Sequence, residues 1–255
     1  MATISEALAI AVQHHRAGRL QTAEQIYRQI LVVEPNHVDA IHYLGLVAHQ
    51  LGKHETAVEC IRRAIAMNGN AAAFHYSLGE VYRALRRLPE AVACYRRALE
   101  LQPDFAEAHY SLGGALYDQG NPNQAAASYR RALELNPGYA EIHNDLGNTV
   151  KAQGKLEEAA VCYRRALELK PDFAQAHHNL GNALTSQGDF EEAIACYRRA
   201  LELQPNWPEV CYGLGNALLR QGRLNDAFAC YRQAMRLNPK LTWPAGLESA
   251  PGGSF

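Results

Sequence analysis

Apolar positions along this chain recur at helical spacing in short blocks, each closed by a glycine and resumed a few residues later. In the block at residues 140–153, Ile142, Leu146, Gly147 and Val150 fall on one helical stripe, and Gly154 follows. A glycine stands at the same place in six blocks: Gly18, Gly52, Gly120, Gly154, Gly188 and Gly222. Glycine accepts the left-handed conformation that ends a helix, so each marks a C-cap. Arg86 takes that place once, where a different turn is expected. A second apolar stripe then runs for about fourteen residues, to a proline that discourages further helix and suits the first turn of the next. The pattern predicts pairs of helices.

The pairs repeat. The octet CYRRALEL at residues 94–101 recurs identically at 162–169 and 196–203, and with one change at 128–135. Pro35, Pro103, Pro137, Pro171, Pro205 and Pro239 keep the same 34-residue phase. Placing proline at position 32 of each unit gives seven units: 4–37, 38–71, 72–105, 106–139, 140–173, 174–207 and 208–241. The second helix is expected at about positions 18 to 31 of each unit. A lone hairpin cannot bury its apolar face, so the units must stack into one extended array. The fold class is therefore all-α, a solenoid of seven helix-turn-helix repeats, with a Pro- and Gly-containing tail at 242–255.

Small residues form two further columns. Gly45, Gly79, Gly113, Gly147, Gly181 and Gly215 lie inside first helices, where glycine costs roughly 1 kcal/mol against alanine. Such a cost implies close packing, and the small column Ala23, Ala57, Ala91, Ala125, Ala159, Ala193 and Ala227 is the expected neighbour.

These residues resemble the tetratricopeptide repeat family, whose hairpin carries large, Leu, Gly and large residues in helix one, then Ala, aromatic, Ala and Pro. The fourth unit matches with Leu112, Gly113, Leu116, Ala125, Tyr129, Ala132 and Pro137. The first two units depart through Ala11, Ile30 and Ile61. The resemblance implies a right-handed superhelix whose first helices line a concave groove that binds a peptide or protein partner. Within the family the chain looks most like the repeat half of O-GlcNAc transferases and related bacterial repeat proteins, on residues 171–176 and 177–182. That likeness implies an Asn ladder holding peptide backbone. At the ladder position only Asn179 fits, while Asn148, Asn182 and Asn216 form a run three positions on. The alternative function is accordingly the substrate-recruiting part of a glycosyltransferase whose catalytic domain is not in this sequence.

Helix geometry places unit positions 5, 6, 9 and 12 on the groove side. The last three units put Asn144, Asp145, Asn148, Lys151, His178, Asn179, Asn182, Thr185, Tyr212 and Asn216 there. The middle units put Tyr43, Tyr76, Ser77, Glu80, Arg83, Tyr110, Ser111 and Tyr117 there. Asn offers a donor and an acceptor, as a peptide bond does, and Tyr gives rigid area with a polar tip. Against this stands the plainer reading that the Asn residues are merely solvated. A two-carboxylate clamp needs paired Lys or Arg with Asn, and Tyr, His, Ser and Glu stand at those places.

Composition narrows the classes. Twenty-five Lys and Arg against 26 Asp and Glu give a net charge of −1, which argues against a nucleic-acid or membrane-surface binder. The apolar run nearest the start covers only residues 7–12 and no Lys or Arg precedes it, so no export signal is read and a cytoplasmic location is expected. Cys60, Cys94, Cys162, Cys196 and Cys230 share one unit position, a whole repeat apart, and read with Cys211 as reduced core thiols. The same spacing argues against metal ligation by His75, His109, His143 and His177. Arg28, Arg62, Arg96, Arg130, Arg164, Arg198 and Arg232 form an outer column. Glu100, Glu134, Glu168 and Glu202 are expected to neutralise four of them at i+4, the competing reading being a ridge for an acidic partner. No phosphate loop, nucleophile elbow or carboxylate pair suggests catalysis, and no cofactor is expected. For the last unit three endings compete: Leu241 and Trp243 fold back over it, a second copy self-associates there, or the chain is a shortened relative of a longer enzyme.

Overall fold

The computed structural model describes residues 3–244. Fourteen helices follow one another among these residues, with no strand. They are α1 (Ile4–Arg16), α2 (Leu20–Val33), α3 (Val38–Gln50), α4 (His54–Met67), α5 (Ala72–Ala84), α6 (Leu88–Leu101) and α7 (Ala106–Asp118). The rest are α8 (Pro122–Leu135), α9 (Ala140–Ala152), α10 (Leu156–Leu169), α11 (Ala174–Gln187), α12 (Phe190–Leu203), α13 (Pro208–Arg220) and α14 (Leu224–Leu237). The chain is an all-α helical-repeat array of seven hairpins. Contacts group it into two units, Met1–Leu135 with four hairpins and Asn136–Phe255 with three.

Each hairpin turns as its glycine requires. Gly120 has φ +78°, its N–H donates to the Tyr117 carbonyl, and the Asn121 N–H reaches back to Leu116. This is the paired-bond ending that satisfies the last carbonyls of a helix. Arg86 makes the same turn, at φ +58°, with its own N–H on the Arg83 carbonyl and that of Arg87 on Tyr82. The expected difference at Arg86 is thus absent, because these two bonds hold an L-residue in a conformation that costs roughly 1–2 kcal/mol. The unit prolines also differ from expectation: Pro103 lies between Gln102, which caps α6, and Phe105, which caps α7, so it belongs to the turn.

The glycine column inside the first helices makes room for tyrosine rings at five positions, and meets the expected alanine column at Gly45, where a Cβ would stand 3.3 Å from the Ala57 carbonyl oxygen. A Cβ on Gly147 would stand 2.5 Å from Cε1 of Tyr163, one on Gly181 2.7 Å from Cε1 of Tyr197, and one on Gly215 2.7 Å from Cε1 of Tyr231. Gly79 and Gly113 face Tyr95 and Tyr129 in the same way, and Gly45 faces Ile61. Tyr95, Tyr163 and Tyr231 are fully buried as a result. In the first hairpin Ala11 replaces the glycine opposite Tyr27.

Within each unit, the backbones of consecutive first helices come close to one another, whereas consecutive second helices meet through long side chains such as Arg164 and Glu192. The first helices therefore form the inner, concave side of each unit, α1, α3, α5 and α7 in one and α9, α11 and α13 in the other. His75, His109 and His177 fasten the turns between hairpins: Nε2 lies 3.0, 2.9 and 2.9 Å from the carbonyl six residues earlier, and His143 lies 3.4 Å from its own. A ring N–H must be the donor to a carbonyl, which fixes the tautomer.

On the outer side the arginine pairing departs from expectation. Glu100, Glu134, Glu168 and Glu202 bind the second arginine of each pair, Arg97, Arg131, Arg165 and Arg199, at i,i+3 and 2.6–2.9 Å. The first arginine is drawn to the following hairpin instead: Arg164 meets Glu192 at 2.9 Å, and Arg96 meets Gln124 at 2.9 Å. All are exposed, and such pairs contribute at most about 1 kcal/mol each.

At the C-terminal end Trp243 folds back. Its ring stands edge-on to Phe228 at 5.6 Å and to Tyr231 at 6.0 Å, leaving Phe228 5% exposed. Met235 and Leu237 remain half-buried. The expectation for residues 245–255 of the tail lies outside the described residues. All six cysteines are free thiols, and burial pushes those of Cys94, Cys196 and Cys230 up to about 11, which keeps them protonated and unreactive at neutral pH.

Candidate functional site

Two hydrogen-bond systems organise the concave side, and both are built on the repeat. The first runs inside a hairpin. The tyrosine of the second helix passes the glycine of the first and places its hydroxyl on the residue after it. Tyr163 donates to Oδ1 of Asn148 at 2.8 Å, Tyr197 to Asn182 at 2.8 Å and Tyr231 to Asn216 at 2.9 Å. Tyr95 meets Oε1 of Glu80 in the same way at 2.5 Å. The Glu80 case fixes the direction, since a carboxylate only accepts. With Oδ1 occupied, each asparagine is left with its two amide N–H donors. That of Asn182 reaches Nε2 of His178 at 2.9 Å, whereas those of Asn148 and Asn216 have no protein acceptor among the described residues. These three asparagines are half-buried.

The first hairpin lacks this anchor. Val12 stands where the asparagine would be, and the Tyr27 hydroxyl is buried without a partner, its pKa raised to about 12 by burial. Tyr27→Phe is accordingly expected to leave the urea midpoint unchanged or slightly raised. Tyr163→Phe, which strands Asn148, is expected to cost about 0.5–1.5 kcal/mol. Equal losses in the two variants would contradict this assignment.

The second system ties a first helix to the next. His42 Nε2 lies 3.0 Å from Oγ of Ser77, and Nδ2 of Asn179 donates to Oδ1 of Asn144 at 2.9 Å. Asn144 and Asn179 are 4% and 5% exposed, so these two members of the predicted groove set lie beneath its surface and join neighbouring repeats. Asn144 also donates to Asp145 at 3.2 Å, and Gln175 donates to Asn179 at 3.2 Å. The rung ends at Gly213, which offers His178 no side chain. His178 instead stands edge-on to Trp207 at 4.9 Å, and burial lowers its pKa.

Tyr43 stacks on Tyr27 at 5.7 Å and, with Leu8, Val12, Arg16 and Asp39, lines a recess of about 500 Å³. Tyr76 packs on Phe105 at 4.9 Å, Tyr110 on Tyr129 at 5.8 Å and Tyr212 on Tyr231 at 5.2 Å. Tyr117 is 40% exposed. Sequence reasoning missed the tyrosines of the second helices as part of this side. The signal was present as a constant fifteen-residue step from Asn to Tyr. No group of three or more His, Cys, Asp or Glu among the described residues is placed to hold a metal ion. No helix among them is long and apolar enough to cross a membrane.

Repeated hairpins with a Gly–Tyr crossing and a polar inner side define a class of repeat protein, and the comparisons name it. Family models described as TPR repeat match residues 79–120, 113–154, 148–185 and 181–222, and one described as Tetratricopeptide repeat matches 208–241. A model for anaphase-promoting complex, cyclosome, subunit 3 matches 16–98. The chain belongs to the tetratricopeptide repeat family. Solved structures share the fold. MamA is 24% identical over 64% of this chain and 95% of its own, with a TM-score of 0.61. YrrB, described as a TPR protein with an unusual peptide-binding site, is 22% identical over 72% and 94%, with a TM-score of 0.64. The C-terminal part of a TPR repeat-containing protein from Cytophaga hutchinsonii is 14% identical over 92% and 96%, with a TM-score of 0.75. A search of curated proteins gave no match. The resemblance to O-GlcNAc transferases gains no support from these matches.

Proposed function

We propose that this chain is a protein-interaction scaffold that binds an extended segment of a partner along the concave side of its first helices. The observation that carries this is the run Asn148, Asn182 and Asn216, each held by a tyrosine hydroxyl at its carbonyl oxygen. An amide fixed in that way presents donors without rotamer freedom, which lowers the ordering cost of binding a peptide carbonyl. Tyr212, on α13 of the same unit, supplies flat contact area. Membership of a family typical of non-catalytic scaffolds supports the same reading, as does a structural relative described as having a peptide-binding site.

The test is capture from lysate of the native source on immobilised protein, with the variant Asn148→Ala, Asn182→Ala, Asn216→Ala as the control once its helicity matches the parent. Proteins retained by the parent are expected to be lost, or weakened at least about tenfold, with the variant. Retention of the same proteins by both would move the binding surface elsewhere. Co-purifying transfer of sugar from a UDP-sugar would favour the recruiting arm of a glycosyltransferase.

A further inference from the structure

One cation of the concave side is uncommitted, and the fold has cleared space for it. Arg83, near the end of α5, is half-buried and makes no hydrogen bond or ion pair among the described residues. Its guanidinium lies against α7 at Gly114, where a Cβ would stand 3.3 Å from Nη2 and 3.5 Å from Cζ. Gly114 holds the position that carries Glu80 in the preceding hairpin and Asn148, Asn182 and Asn216 in the last three. A side chain there would fill the space the guanidinium uses. Arg83 borders a recess of about 400 Å³ with His49, Glu80, Ala84, Arg86 and Asp118. Of the other charges there, Glu80 accepts a hydrogen bond from Tyr95, and Asp118 lies 4.0 Å from Arg86.

We propose that this recess takes one Asp or Glu side chain of the segment bound in the groove. The proposal rests on the groove reading above and adds to it the chemistry of one partner residue. A guanidinium presents a planar fork that matches a carboxylate, and partial burial strengthens the charge-assisted bonds. A carboxylate matches the Arg83 guanidinium with a single charge, whereas a dianionic phosphate would meet about twice the repulsion from Glu80 and Asp118. Arg83 lies on the third of the four first helices of its unit, so a bound chain continues past it on both sides. That position suits a side chain within the segment.

Arrays of amidated twelve-residue peptides, probed with the intact protein, test this. The parent is expected to favour peptides with Asp or Glu at one register roughly tenfold over their Asn or Gln counterparts. Arg83→Gln should erase that preference, Arg83→Lys should retain part of it, and Arg62→Gln, on the outer column, should leave it intact. A preference that is absent, or that survives Arg83→Gln while Tyr117→Ala, on α7 of the same unit, still weakens binding, overturns this inference alone. Binding indifferent to Tyr117→Ala, or none at all, overturns the groove reading for this unit and this inference with it. If instead only peptides with a free C-terminal carboxyl and no acidic residue bind in an Arg83-dependent way, the site takes a chain end, and the side-chain assignment is wrong.

Discussion

Gly147→Leu is expected to lower stability by about 1–3 kcal/mol or more, and Tyr163→Ala by about 3–5 kcal/mol. Combining them should recover part of the sum. The reason is one contact, in which the ring of Tyr163 occupies the space a side chain on Gly147 would need, with Cε1 2.5 Å from the missing Cβ. Removing the ring opens a cavity, and leucine from the opposite helix can enter it. Urea midpoints of the parent, the two single variants and the double variant measure the coupling. Additive losses would mean that the two positions do not share that space. The first hairpin gives a natural comparison: Ala11 is accommodated against Tyr27, and there the tyrosine hydroxyl is without a partner.

Acid should weaken the N-terminal unit through His42. Its ring is 6% exposed, packed on Phe74 at 4.3 Å. Ser77 donates its hydroxyl proton to the Ala73 carbonyl at 2.8 Å, so the His42 Nε2 must itself be the donor to Ser77, as it is in the neutral ring protonated there. Burial pushes the His42 pKa down to about 4, Asp39 opposing and His15 adding to the shift. Between the ordinary histidine value and about 4 the unfolded chain therefore holds a proton that the folded chain refuses. The contribution of His42 is full above about pH 7, falls as pH drops through that window, and changes no further below it. The whole loss is about 3 kcal/mol. His42→Gln removes the titration while keeping a polar group. Comparing urea midpoints at pH 7.5 and 4.5, the parent should lose more than the variant by most of that amount. Equal losses would place the acid sensitivity in other groups, such as the buried part of His15, His49, His143 or His178, which both proteins share.

The repeat was fully legible in the chain because its period is written by residues whose role is local. Glycine at a helix end and small residues on one stripe need no knowledge of distant partners. Partner choice across a hairpin was not legible in the same way. The Gly and Ala columns look alike as small residues, and only ring size explains why Gly147 faces Tyr163. Likewise Arg164 has a glutamate at i+4, yet Glu192 on the next hairpin competes for it, and the outcome depends on packing between repeats. The site was half legible. Spacing put Asn148, Asn182 and Asn216 on the inner side, but spacing alone does not distinguish them from Asn144 and Asn179, which are buried and bonded to each other between neighbouring first helices. The open recess at Arg83 depends on Gly114 lacking a side chain, a feature that carries meaning only once α5 and α7 lie side by side.

Binding along the first helices requires that their side of the hairpins meets the partner. The most direct measurement places a photo-crosslinking phenylalanine analogue at Tyr117, at Tyr212 or at Val161, and irradiates each protein in lysate of its native source. Tyr117 and Tyr212 lie on first helices, whereas Val161, on α10, is 63% exposed. Discrete adducts at either tyrosine position, with none at Val161, are the predicted result. Adducts at Val161 with none at the two tyrosine positions would contradict binding along the concave side.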